Sequence, residues 1–199
     1  MEKSVLSKKE LALLQLALLQ LARECISKEF TEKGPGKVAI PTEISNAFLK
    51  EKRGVFVTLH KKGRLRGCIG NIEPVKTLEA GVRENAVFAA FKDSRFAPLT
   101  LDELALIDIE ISILSKPKPL AYKDARQLIC ALVPGEDGVI LEKNHHRATF
   151  LPQVWEQLPT PEEFLSHLCS KAGLAANEWE TAGLKVHTYQ VQSFGEKDG

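Results

Sequence analysis

Apolar residues recur along this chain at two spacings, and the switches between them lay out its elements. Ser7-Lys8-Lys9-Glu10 has the spacing of a capping box, and Leu11, Leu14, Leu18, Leu21 and Ala22 then fall on one helical face, which predicts a helix to about Phe30. Gly34-Pro35-Gly36 stops it, and Pro41-Thr42 opens a shorter helix through Ala47 to Glu51. The period then falls to two. Gly54 to His60 and Leu65 to Gly70, rich in β-branched and apolar residues, flank Lys61-Lys62-Gly63 and read as a β-hairpin.

Side-chain alternation fixes a register for that hairpin, because a slip of one residue inverts both faces. A three-residue loop with Gly63 in the left-handed position closes on His60 and Arg64. This pairing gathers Val55, Val57, Leu59, Leu65 and Ile69 on an apolar face. It leaves Phe56, Thr58, His60, Arg64, Arg66 and Cys68 on the other, with Cys68 opposite Phe56. Four residues of strand, about 13 Å, then separate the Cys68 position from His60.

Pro74 introduces a helix, Val75 to Phe91, whose small residues suit close packing on a sheet, and Asp93 to Pro98 break it. Thr100-Leu101-Asp102-Glu103 is a second capping box opening one short turn. From Leu106 to Leu114 isoleucines alternate with Asp108, Glu110 and Ser112, the pattern of a strand with one wet face. A helix at Asp124 to Leu132 follows, then strands at Val139 to Glu142 and Ala148 to Leu151. Thr160-Pro161-Glu162-Glu163 caps a helix to about Ala172, and Lys185 to Phe194 closes the chain as a strand. Strands in hairpins with helices between them predict an α+β fold, with largely antiparallel sheet and packed helices.

Composition narrows the function classes. With 27 Lys and Arg against 26 Asp and Glu, the net charge of +1 supplies no global field for nucleic acid or an anionic membrane. Any such binding is local: Lys61, Lys62, Arg64 and Arg66 make a basic hairpin, but with no aromatic residues interleaved, nucleic-acid binding is disfavoured. The four cysteines, Cys25, Cys68, Cys130 and Cys169, form no C-x-x-C pair, which argues for reduced thiols in a cytoplasmic protein. The run Leu11 to Ala22, at about twelve residues, is too short to span a bilayer and reads as a buried helix, not a signal sequence.

The sharpest candidate chemistry is Arg66-Gly67-Cys68-Ile69-Gly70. Cys68 on a polar strand face is a candidate nucleophile, redox thiol or soft ligand, and each role needs the thiolate, which neighbouring cations favour. Gly67 and Gly70 permit close approach of a backbone or a ligand. Glu110, on the wet face of its strand, is a candidate partner for Arg66, and Asp93 and Arg95 are candidate lining residues or a loop-fixing ion pair. Cys25, Cys130 and Cys169 lie in helical, apolar contexts and read as packing, as do both tryptophans. His145-His146 reads as a solvated turn, and no cluster has metal-ligand spacing.

Leu65 to Gly70, Asp93 to Leu99, Ile109 to Leu114 and Leu151-Pro152-Gln153-Val154-Trp155, in that order, resemble the AMMECR-one family, the A component of the AmmeMemoRadiSam system. Lys143-Asn144-His145-His146-Arg147 departs from it where a glycine-containing turn is expected. The resemblance covers nearly the whole chain and implies a two-lobed α+β domain with a cleft, association with a Memo-type protein and a radical-SAM protein, and no defined reaction or cofactor. Together with the hairpin reading it gives Cys68 as the catalytic candidate and Arg66, Gly67, Gly70, Asn71, Asp93, Arg95, Glu110 and Gln153 as candidate binding residues. The leading expectation is an accessory or substrate- and partner-binding component acting through the Arg66/Cys68 face. Its rivals are a Cys68-dependent enzyme and a nucleic-acid-binding module.

Overall fold

A computed structural model describes residues 7–31 and 46–197. The chain forms two compact units, Met1–Ile113 with Gln192–Gly199 and Leu114–Val191. The stop expected at Gly34 to Gly36 and the helix start at Pro41 lie outside the described residues.

In the first unit, helix α1 (Lys8–Lys28) begins with the expected capping box, Ser7 and Glu10 bonding each other's backbone, and buries Leu14, Leu18, Leu21, Ala22, Cys25 and Ile26. A single turn, α2 (Asn46–Leu49), precedes β1 (Val55–Lys61) and β2 (Arg64–Asn71). Helix α3 (Leu78–Phe91) starts later than the proline suggested, with Thr77 as its N-cap. A short 3-10 turn, Leu101–Glu103, leads to β3 (Ile107–Leu114), which buries all four alternating isoleucines. With β8 (Val191–Gly195) these strands form a sheet in the order β2-β1-β3-β8. Val55, Val57 and Leu59 join the isoleucines against α1 and α3 in one core, and the opposite face of the sheet carries the polar alternates.

The hairpin register differs from the expected one. Lys61 pairs with Arg64 and His60 with Leu65, so the loop has two residues, Lys62 (φ 52°) and Gly63 (φ 74°), both left-handed as a type I′ turn requires. Leu59 pairs with Gly67, which leaves Arg66 as the extra residue of a β-bulge. Downstream of the bulge the pairing is Thr58 with Cys68 and Phe56 with Gly70. Leu65 therefore leaves the core, 42% exposed beside His60. A lysine held in left-handed geometry carries no sequence signal, and the bulge restores the apolar alternation that the two-residue loop alone would break.

The second unit is a sheet ordered β4-β7-β5-β6, built from β4 (Lys118–Pro119), β5 (Gly138–Lys143), β6 (His146–Phe150) and β7 (Lys185–Tyr189). The closing strand expected over Lys185 to Phe194 is thus two strands, β7 and β8, in different units. Between β6 and β7, helix α5 (Pro161–Lys171) buries Phe164, Leu165, Leu168 and Cys169, and Trp155 stacks on Phe164 at 3.8 Å. Helix α4 (Ala125–Ala131) buries only Leu128. Cys130, two residues on and roughly 200° around that helix, is exposed, against the packing expected for it. The β5–β6 turn manages without glycine because Asn144 takes the left-handed conformation (φ 55°), which asparagine tolerates. Among the described residues no helix is long and apolar enough to cross a membrane.

Candidate functional site

β2 is an edge strand, so alternate residues aim backbone N–H and C=O groups away from β1. At Cys68 these outward groups are taken by side chains. Asp93 Oδ2 accepts the Cys68 N–H at 2.8 Å, and Arg95 Nη2 donates to the Cys68 carbonyl at 3.2 Å. The two clasp each other through Arg95 Nε at 2.9 Å and Nη2 at 2.7 Å. Asp93 follows directly on the C-cap of α3, and with Arg95 it substitutes for a missing strand. Only 4% of the Asp93 side chain is exposed. The Arg95 guanidinium, helped by the Cys68 and Arg95 N–H groups, holds its carboxyl well below the usual carboxylate range despite burial. Arg95 in turn keeps its proton more tightly, through Asp93 first and to a lesser extent through the Cys68 thiol.

The glycines of the motif serve the same packing. A Cβ on Gly67 would lie 2.1 Å from the Ala89 carbonyl oxygen, where the last turn of α3 crosses β2. One on Gly70 would fall 2.2 Å from the Phe56 ring, which covers that glycine from the neighbouring strand. Close approach is therefore made by this chain's own backbone and an aromatic side chain.

The bulge turns Arg66 toward Glu103, not Glu110. Glu103 accepts Arg66 Nε at 3.0 Å and Nη2 at 2.8 Å, a two-point carboxylate pairing, and Lys61 Nζ at 2.8 Å. These bonds, with the Thr100 N–H, hold its carboxyl far below the ordinary value. Glu110 is barred from this role by the strand order, since it sits on β3, with β1 between it and β2. The guanidinium carbon of Arg66 lies 6.0 Å from the Phe96 ring centroid, and its Nη1 is buried without a hydrogen-bond partner. Lys61, counted in the basic hairpin tip, is thus already paired.

What remains is the polar face of the sheet, whose strand pairings set three rows: Leu65, His60 and Asp108; Cys68, Thr58 and Glu110; Gly70, Phe56 and Ser112. Thr58 Oγ1 donates to Cys68 Sγ at 3.4 Å. Glu110 lies two strand spacings from Cys68, about 10 Å. His60 lies on the diagonal, about 7–8 Å away between backbones, nearer than the expected register put it. A cleft of about 250 Å³ beside them is lined by His60, Asp108, Glu110, Glu196 and Lys197, with Lys197 paired to Asp108 at 2.5 Å. The side chains of His60 and Glu110 make no hydrogen bond or ion pair with any described residue. No group of three or more His, Cys, Asp or Glu among the described residues is placed to hold a metal ion.

Of the residues singled out in the sequence, the structure brings Cys68, Gly67, Gly70, Asp93 and Arg95 together at the β2 edge, and Arg66 beside them. Asn71 faces the helices, accepting from Asn85 Nδ2 at 3.2 Å, and Gln153 is an exposed residue of the second unit. Two residues outside the sequence candidates also reach the motif, Thr58 and Glu103. Glu103 was absorbed by its capping-box reading, a role it also plays, and Thr58 faces Cys68 only in the bulged register.

The AMMECR1 family profile matches residues 19–194. A protein from Thermofilum pendens is 40% identical over 175 residues, covering 80% of each chain. One from Methanothermobacter thermautotrophicus is 40% identical over 169 residues, covering 82% of this chain and 85% of that one. The crystal structure of an uncharacterized protein from Pyrococcus horikoshii superposes with a TM-score of 0.74 at 32% identity, covering 94% of this chain and 92% of the other. The chain belongs to the AMMECR1 family.

Proposed function

We propose that this protein is a binding component of a modification system, presenting the polar sheet face around Cys68 to a substrate or to a Memo-type or radical-SAM partner. The observation that carries the reading is how the charges are engaged. Asp93, Arg95, Arg66 and Glu103, the groups a catalytic reading would recruit, are bonded to one another and to the β2 edge. The Cys68 thiol, the Thr58 hydroxyl, His60 and Glu110 occupy one half-buried face beside a small cleft. A donor and acceptor array suffices for recognition, whereas covalent catalysis needs a base within hydrogen-bond reach of the nucleophile.

One observation favours a second reading, a Cys68-dependent enzyme: the Thr58 hydroxyl donates to the thiol at 3.4 Å, and the Arg95 guanidinium is bonded to the carbonyl of the same residue. Titration calorimetry separates the two, using purified Memo-type and radical-SAM proteins with the wild type, Cys68→Ser and Cys68→Trp. The binding reading expects a complex that survives serine and weakens at least about tenfold with tryptophan. Absence of any complex at about 100 μM of each protein, or one indifferent to tryptophan, would count against it.

A further inference from the structure

The cleft of about 250 Å³ on the polar face of the first sheet lies toward the hairpin turn, and the strand pairing shows how it arises. Asp108 and Glu110 are two residues apart on β3 and so share one face, with about 7 Å between them along the backbone. On β1, His60 stands opposite Asp108 and Thr58 opposite Glu110. On the β8 side, the Glu196 N–H donates to the Ile109 carbonyl at 3.1 Å, and the Ser112 and Ser193 hydroxyls meet at 2.9 Å. These two contacts set Gly195 alongside Glu110. A glycine brings no side chain to that place, so β8 does not fill the space beside the Glu110 carboxylate.

The other charges at the cleft are already paired. Asp108 is held by Lys197 Nζ at 2.5 Å. Glu196 accepts Arg23 Nε at 2.6 Å and Nη2 at 2.5 Å, as well as the Ile109 N–H at 2.8 Å. Glu110 is half-buried, yet its side chain makes no hydrogen bond or ion pair with any described residue. Glu110 therefore leaves the cleft with one unbalanced negative charge.

That charge calls for a cation, and the surroundings narrow which one. No group of three or more His, Cys, Asp or Glu among the described residues is placed to hold a metal ion, so His60, Asp108 and Glu110 do not converge on a point. A guanidinium suits acceptors that are spread, because it carries five N–H donors around a plane and meets a carboxylate through two of them at once. It is also more weakly hydrated than an ammonium, which lowers the cost of entering a half-buried site. At about 250 Å³ the cleft is smaller than the range of about 300–1,000 Å³ usual for sites that enclose a whole small ligand. One long side chain, with its main chain left outside, fits that size.

We infer that the cleft receives an arginine side chain from a polypeptide that docks on this face, with the guanidinium forked on Glu110 and reaching toward Asp108. The inference rests on the reading of this face as a recognition surface and names what the partner presents to it.

The test is a ¹⁵N NMR titration of the whole protein with Nα-acetyl-arginine methylamide. Three comparison ligands accompany it: the citrulline analogue, which has the same shape without the charge, the lysine analogue, and free arginine. The capped arginine should bind saturably at about 1–10 mM and shift the amides of Glu110 and Gly195. The citrulline analogue should bind at least about tenfold more weakly and the lysine analogue at least about threefold more weakly. Glu110→Gln keeps the shape of the side chain and should weaken the capped arginine at least about tenfold, with the rest of the spectrum unchanged. Free arginine should bind no more tightly than the capped form. No saturable shift up to about 50 mM, citrulline or lysine binding equal to arginine, or affinity unchanged in Glu110→Gln would overturn the inference. Free arginine binding at least about tenfold more tightly than the capped form would also overturn it, since the ligand would then be an amino acid and not a partner's side chain. The titration needs no partner protein, so a chain that forms the Memo-type or radical-SAM complex yet ignores arginine sinks this inference alone. Arginine bound without any such complex would sink the choice of partners alone.

Discussion

Two strand edges in this molecule meet opposite fates. At β2, a glycine-flanked strand is closed by charged side chains: Asp93 and Arg95 complete the backbone of Cys68, and Glu103 fixes the bulged Arg66. At β7, a two-residue strand covers part of the edge, and the side chains of Lys123, Glu180, Lys185 and His187 beside it make no ion pair or hydrogen bond with any described residue. The motif most conspicuous in the sequence is thus surrounded by charges with structural work, while unengaged charges line a region the sequence did not mark. Proximity in sequence to a reactive residue type is a poor guide to which charges are available.

The largest effect should come from the packing of the β2 edge. Gly67→Ala drives a Cβ into the backbone of Ala89, which cannot move without displacing α3, so a loss of about 3 kcal/mol or more is expected in urea unfolding. Gly70→Ala meets the Phe56 ring, a side chain that can yield, and should lose less, about 1–3 kcal/mol. Equal losses would break the distinction between the two glycines.

The charges come next. Asp93→Asn should lose about 1–3 kcal/mol at neutral pH, since it weakens the bonds to the half-buried Cys68 N–H and to Arg95. Asp93 and Glu103 are both held below their ordinary values in the folded state, so their contribution is full above the unfolded carboxylate range, about pH 4. It is lost as the pH falls from there through the folded values, because the unfolded chain takes up protons first. The gap between wild type and Asp93→Asn should therefore narrow below about pH 4, and a gap constant with pH would contradict the clasp. At the other edge, Lys185→Ala and Glu180→Gln should change stability by no more than about 0.5 kcal/mol. Glu110→Gln should likewise leave Arg66 and the fold undisturbed, unlike Glu103→Gln.

Much of this architecture was legible beforehand, because capping boxes and strict alternation are local signals that tertiary packing here reinforces. The Ser7 cap, the Thr160 cap and the isoleucine strand all fall where their patterns put them. Cys68 was placed on the correct face by a register that was itself wrong. The left-handed Lys62 and the bulge at Arg66 are compensating irregularities, each invisible to pattern alone, and together they altered every cross-strand neighbour of the motif. The partner of Arg66 was missed for another reason: its choice depends on strand order and on how the 3-10 turn folds back, neither of which is local.

The central claim is that the groups flanking Cys68 close a sheet edge and leave its thiol on an accessible face for recognition. Alkylation of the native Cys130→Ser protein, with each cysteine mapped by mass spectrometry, tests it most directly, because the substitution removes the exposed thiol on α4 that would otherwise compete. Cys25 and Cys169 are buried, and burial pushes both thiols up, so they should react only on unfolding. Cys68 should be modified first and while the protein is folded. Protection of Cys68 until unfolding would contradict the account, since the thiol would then be packing and the face around it closed to any partner.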